Sequence, residues 1–207
     1  MTERTRIRRL PEKSVEDVGV LHAILDAARV AHVGLVDGGT PVVVPVGCAR
    51  DGDRLLLHGS TGSRLFRGLA DGAEVCVTVT LLDGMVLARS AFESSMHYRC
   101  AMLFGTATEV PREEKAAALR AMSEAWLPGR WDTLRPPTAK ELAATTVLAL
   151  PLAEWSVKVS DGPPEDPPED LDAPVWAGVL PIVTAYGDAV PAPDLRGDPK
   201  PWTPRFS

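Results

Sequence analysis

Between Ser14 and about Arg29 the apolar side chains Val15, Val18, Leu21, Leu25 and Ala28 return at helical spacing. One apolar stripe of this kind predicts a surface helix packed on a sheet. Ser14 is placed to cap it, and Asp17 lies three residues on, where a negative charge meets the exposed amides. The pattern then changes to short β-branched or leucine-rich runs at residues 30–36, 41–49 and 54–58. They are separated by Asp37-Gly38-Gly39 and Asp51-Gly52-Asp53, which are hairpin signals because glycine tolerates positive φ. Residues 60–71 read as a short helix with Leu65, Phe66 and Leu69 inward, ended by Gly72. Residues 74–82 read as a strand that Asp83-Gly84 turns into another at 85–91, and residues 98–110 continue the sheet after an interruption at 92–96.

Two helices follow. Pro111 fits a first helical position, with Glu113 and Glu114 near the positive helix end and Leu119, Met122 and Trp126 as the inner stripe. After the turn Pro128-Gly129-Arg130, Thr138 and Glu141 form a capping box that opens a second short helix, and residues 146–159 read as a last long strand. Beyond it the chain changes character: residues 161–172 carry six acidic residues, four prolines and no basic residue, which predicts an extended, solvated linker. Residues 175–183 return to apolar character and should dock somewhere, while the end from Pro191 is proline-rich and irregular. The expected organisation is a barrel domain over 1–160, an acidic linker over 161–174, and a C-terminal segment over 175–207 that packs on the barrel or on a partner subunit. Six or seven strands with glycine hairpins and inserted helices predict an α+β fold built on an antiparallel barrel.

Bulk properties narrow the function. The net charge of −6 argues against a general nucleic-acid binder, which needs clustered cations to displace phosphate counterions. Arg4, Arg6, Arg8, Arg9 and Lys13 crowd the N-terminus, and a solvated arm or a strap over a partner subunit is the plainer reading than an anion-binding tail. Cys48, Cys76 and Cys100 are odd in number, form no CxxC pair and lie in apolar runs, so neither a disulfide framework nor a zinc site is expected. No secretory signal and no bilayer-length apolar run is visible, so the expected setting is cytoplasmic, with no membrane partner. There is no GxGxxG after a first strand and no P-loop lysine motif.

Candidate chemistry concentrates in two segments. In His58-Gly-Ser-Thr-Gly-Ser-Arg64 a strand ends, small hydroxylic residues follow and a helix begins. Free amides, hydroxyls and a guanidinium converging there suit phosphate oxygens; the alternative is an ordinary capped helix with a solvent-facing arginine. The second segment holds Arg89, Ser90, Tyr98 and Arg99. Because strand side chains alternate faces, Tyr98 and Arg99 share a cavity only if a bulge intervenes, and cross-strand pairing with Glu74 or Glu109 is the plain alternative. The four histidines show no metal-ligand spacing; His22 and His32 read as structural, whereas His58 adjoins the cradle. Trp176 offers an aromatic face to a planar ligand, or is simply core.

The runs "LLLHGSTGSRLFRGL", "EVCVTVTLLDGMVLARSAFESSMHYRCAMLFGTA" and "PVWAGVLPI" resemble the flavin-binding branch of the pyridoxamine 5'-phosphate oxidase-like superfamily, nearest to nitroimidazole-reductase-like proteins, over roughly residues 6–185. The resemblance implies a homodimeric split β-barrel with FMN at the subunit interface. By the same resemblance Gly59, Ser60, Gly62, Ser63 and Arg64 hold the phosphate, and Arg99 adds charge near it. His58, Thr78, Val79 and Ser90 flank the flavin, Tyr98 contacts it and Trp176 helps to cover the ring. Similar proteins often carry asparagine where this chain has His97. The implied activity is an oxidoreductase that takes hydride from NAD(P)H or another donor and passes it to a small electron-poor acceptor, with His58 or His97 as proton donor. Two alternatives keep the barrel: a non-catalytic flavin- or haem-binding protein, and a reductase that uses a deazaflavin cosubstrate.

Overall fold

In the computed structural model, which describes residues 2–197, 199–200 and 202, antiparallel strands wrap one core and are joined by short helices. Met1, Asp198, Pro201 and 203–207, which belong to the expected N-terminal arm and irregular C-terminal end, lie outside the described residues. In chain order the elements are β1 (Ser14–Val15), α1 (Val18–Ala27), β2 (Val30–Asp37), β3 (Thr40–Asp51), β4 (Arg54–Ser60), α2 (Arg64–Ala70), β5 (Glu74–Leu87), β6 (Ser95–Thr106), β7 (Thr108–Glu109), α3 (Lys115–Trp126), α4 (Ala139–Ala144), β8 (Thr145–Pro151), β9 (Glu154–Ser160) and β10 (Gly178–Pro181). The sheet runs β1-β9-β6-β5-β2-β3-β4-β8-β7, with β10 on the far half of β5, and it does not close. This is an α+β split barrel of antiparallel strands.

Alternation sorts each strand into an inward and an outward set. Val33, Val77, Leu103, Leu57 and Leu150 point inward and, with Leu21, Ile24 and Leu25 of α1, fill the main core. A second cluster lies outside the barrel wall, where Ala118 and Met122 of α3 pack on Leu56, Val147 and Ala149. Hence β4 is covered on both faces, and Leu55, Leu56 and Leu57 are all fully buried. Burial of such side chains contributes about 1.5–3 kcal/mol each, so β4 is a strong anchor for whatever follows it.

The structure departs from several expectations. Asp17, not Ser14, caps α1: its carboxylate accepts from Gly19 N at 2.7 Å. Ser14 and Val15 instead pair with Lys158 and Val157 at the sheet edge. Asp83-Gly84 is no hairpin, because β5 continues to Leu87 with a bulge between Leu82 and Gly84, and the connection to β6 falls at 88–94. A Cβ on Gly84 would lie 3.0 Å from the Leu180 carbonyl oxygen, so glycine there admits β10 rather than a turn. The expected last long strand is two, β8 on β4 and β9 on β6, so the chain crosses between the two halves of the barrel at residues 152–153. Pro111 precedes α3 by a turn instead of opening it. The capping box is present: Thr138 and Glu141 bond reciprocally at 3.2 and 2.7 Å.

The N-terminal arm at Arg4 and the strand after the acidic linker lie on the chain's own barrel. Arg4 reaches Glu74 and Glu154 and stands 5.4 Å over the Phe104 ring. The acidic linker is pinned at one point: the Asp166 side chain, 1% exposed, accepts from Arg89 N at 2.7 Å and its guanidinium at 2.9 Å. β10 then pairs with β5 of the same chain. No helix among the described residues is long and apolar enough to cross a membrane.

Candidate functional site

The cradle grows out of β4. Gly59 faces the core, where a Cβ would fall 2.3 Å from the Phe66 ring, so glycine lets α2 dock directly on the strand. Ser60 Oγ accepts from Gly62 N at 3.2 Å, and Ser63 Oγ, at the N-cap of α2, accepts from Phe66 N at 3.5 Å. Each hydroxyl therefore spends its oxygen on a local amide and keeps its own proton to donate. Thr61 and Gly62 are exposed, and the space over Gly62 is open apart from Ser60 Oγ at 3.6 Å. Arg64 stands at the rim with its side chain 75% exposed and its Nε 2.6 Å from Asp37. The donor set suits an anion, and Asp37 at present occupies the guanidinium.

His58 sits on the opposite face of β4, the face of Leu56. Its ring centroid lies 5.6 Å from that of Trp126 at an interplanar angle of 48°. Its Nδ1 is buried without a hydrogen-bond partner, and burial alone pushes its pKa down. The imidazole is thus held neutral, with Nε2 left to exchange a proton. Trp126 owes its place to two features. The apolar stripe Ala118–Met122 aims the last turn of α3 at β3, and the indole N–H donates to the Cys48 carbonyl at 2.7 Å. A Cβ on Gly47 would lie 2.8 Å from the ring, so only glycine leaves room for it. Sequence reasoning placed Trp126 in an inner stripe and passed over Gly47; the bare glycine inside an otherwise β-branched run was the available signal.

The second segment divides. Ala101 and Leu103 are buried, so Arg99 and His97 share their side of β6, while Tyr98 lies on the outer face between Leu82 and Ser160. A bulge does occur here, but on β5: Asp83 is the extra residue, and it meets Arg99 through two bonds of 2.8 and 2.9 Å. That pair holds the Asp83 carboxyl below the usual aspartate range. Thr78 is outward between His32 and Met102, whereas the Val79 side chain is in the core, leaving only its backbone for a ligand outside the barrel. Ser90 orders the 88–94 connection, its Oγ accepting from Glu93 N at 3.2 Å. Trp176 is 69% exposed and lies against Gly178 at the start of β10.

Along the sheet, three strands separate β4 from β6. Within one chain the cradle and His58 lie at the end of β4, while the start of β6 carries Arg99 and His97 on one face and Tyr98 on the other. Among the described residues no three His, Cys, Asp or Glu side chains gather as a metal site.

Among solved structures, an FAD- and haem-binding protein from Mycobacterium smegmatis is 47% identical, covering 91% of this chain and 94% of that one with a TM-score of 0.88. The flavocytochrome Anf3 from Azotobacter vinelandii is 42% identical over 97% of this chain and 94% of its own, with a TM-score of 0.90. A Bacteroides thetaiotaomicron structure named for 5-nitroimidazole antibiotic resistance is 25% identical, covering 70% and 86%, with a TM-score of 0.60. No curated protein matches the chain. The pyridoxamine 5'-phosphate oxidase family matches residues 17–159, and with a split barrel built over that same span this chain belongs to it.

Proposed function

We propose that this protein is a flavin-dependent oxidoreductase whose site is completed by a second copy of the chain. The observation that carries the reading is the end of β4, which within six residues presents a neutral, half-buried imidazole (His58) and an open turn of amides and hydroxyls (Ser60–Ser63). Ser60, Thr61, Gly62 and Ser63 would hold a flavin phosphate, with Arg64 turning from Asp37 to join them. Bound flavin supplies the hydride or electron chemistry, from NAD(P)H or another donor to a small acceptor. His58 Nε2 holds or moves the accompanying proton, because imidazole is a side chain suited to proton transfer close to physiological pH. The sequence resemblance points to FMN. The FAD- and haem-binding protein at 47% identity favours FAD instead, and we adopt FAD.

Homodimerisation is supported by the three-strand separation of β4 from β6 along the sheet, which a partner's Tyr98, on the outer face of β6, would bridge. It is supported too by the exposed apolar side chains on the outer sheet face, Val30, Val36 and Val43. A second reading, haem alongside flavin, has one structural observation in its favour. His32 is an exposed imidazole on that face, next to Pro45 and Thr78, and an apolar groove of ≈ 420 Å³ runs past Gly34, Val43, Cys76 and Phe104 one row away. An accessible imidazole beside an apolar groove is the donor haem iron takes.

The visible spectrum of the purified full chain, with mass identification of heat-released ligand, tests both. An oxidised-flavin spectrum with FAD released is expected, and FMN would correct the nucleotide. A Soret band that His32→Ala abolishes would support the second reading. A colourless protein that FMN, FAD and haemin all fail to reconstitute overturns the flavin proposal.

A further inference from the structure

We propose that Trp126 is the positioning residue for His58: the indole, tied to the Cys48 carbonyl across the bare face of Gly47, fixes the imidazole's orientation and shields it from water. The inference rests on His58 having the role given above, and three independent contacts define it. The indole N–H bond to Cys48 O at 2.7 Å sets the ring's azimuth. The missing side chain at Gly47 sets its depth, since a Cβ there would be 2.8 Å from the six-membered ring and 3.9 Å from His58 Cε1. The stripe below, with Ala118 3% and Met122 1% exposed, fastens the helix end that carries it.

Among the described residues nothing hydrogen-bonds to the buried Nδ1 of this imidazole, so no hydrogen bond fixes the ring's rotation on that side, and an imidazole is normally oriented by such a bond. Packing replaces it here. Two further contacts steady the end of α3: Glu124 accepts from Gly129 N at 2.6 Å and from Trp131 N at 3.1 Å, which closes the turn just past Trp126. The three residues thus act as one device. Gly47 leaves the space, Cys48 O orients the indole and Trp126 covers the imidazole.

The test is the rate at which diethyl pyrocarbonate acylates each histidine of the ligand-free full chain, read by peptide mass spectrometry. In the parent, exposed His32 should react fast and half-buried His58 slowly. In Trp126→Ala the His58 rate should rise at least several-fold toward that of His32, with His22 and His97 unchanged. In Trp126→Phe, which keeps a ring but loses the N–H, and in Gly47→Ala, which pushes the ring aside, it should rise less. A general rise at all histidines in Trp126→Ala would mean loss of fold, and the two milder variants then decide. His58 reacting at the parent rate in Trp126→Phe and Gly47→Ala overturns the proposal. Because no ligand is present, the outcome is separable from the flavin reading: a colourless protein can still show the rate change, and a flavoprotein can lack it.

Discussion

The end of β4 has both faces covered, by the barrel core on one side and α3 on the other, whereas the start of β6 has one face open and handles its charges in pairs. The first region relies on packing. His58 is neutral because it is buried, Gly59 is bare because Phe66 lies on it, and Gly47 is bare because Trp126 does. The second relies on electrostatics. Arg99 sits where a bulge swings Asp83 toward it, and both side chains remain more than a third exposed. Each region should therefore respond to a different kind of change: volume in the first, charge and pH in the second.

The largest effect expected from breaking that contrast comes from one methyl group. Gly59→Ala would put a Cβ 2.3 Å from the Phe66 ring, and overpacking of this kind costs about 1–3 kcal/mol. A urea unfolding midpoint should fall accordingly, with an unchanged slope. Arg99→Gln, which removes a charge and keeps most of the side-chain length, should move the midpoint far less, since exposed pairs contribute about 0.2–1 kcal/mol. Equal shifts in the two variants would erase the distinction between the regions.

The same contrast decides what was legible in the sequence. The strands β2, β3 and β4 were readable because glycine hairpins bound them and their apolar runs are local. The turn after β4 was readable as a capped helix start rich in donors because hydroxyls, glycines and an arginine lie consecutively from Gly59 to Arg64. Contacts across the fold were not. Nothing local to Asp83 says that β5 bulges there to meet Arg99, sixteen residues on, so Asp83-Gly84 looked like a turn. Trp126 is seventy-eight residues from Cys48, and only the tertiary packing of α3 shows that it covers His58. The linker's acidity was plain, but that Asp166 alone among its carboxylates is clamped by Arg89 depends on where the 88–94 connection lies.

Acid titration separates the two regions by window, with the same sign in each. Burial pushes the His58 pKa below its unfolded value of about 6.5, so the unfolded chain takes up the proton first as pH falls. Its contribution to stability is present above about pH 6.5 and is lost as pH drops through the folded value, at no more than about 1.4 kcal/mol per pH unit. Asp83 has a depressed folded pKa, so its contribution is present above about 3.9 and is lost only below that. His58→Gln should flatten the stability profile in the mildly acidic range and Asp83→Asn only in strong acid. A His58→Gln protein whose profile parallels the parent's from about pH 7 to pH 5 would show that the imidazole is not held neutral by burial.

The smallest expected effect on stability has the sharpest bearing on the cradle. The Arg64–Asp37 contact of 2.6 Å joins a side chain 75% exposed to one 38% exposed, so its loss should cost no more than about 1 kcal/mol. For a ligand the balance is different. A phosphate at the Ser60–Ser63 turn must compete with Asp37 for the guanidinium and endure the carboxylate's charge nearby. Asp37→Asn removes both handicaps, and a change of about 1 kcal/mol would tighten flavin binding roughly five-fold. Arg64→Gln should weaken it by a similar factor or more. Titration followed by quenching of flavin fluorescence measures both constants. If neither substitution changes the affinity, Arg64 serves only Asp37, and the turn after β4 is a capped helix start and no phosphate site.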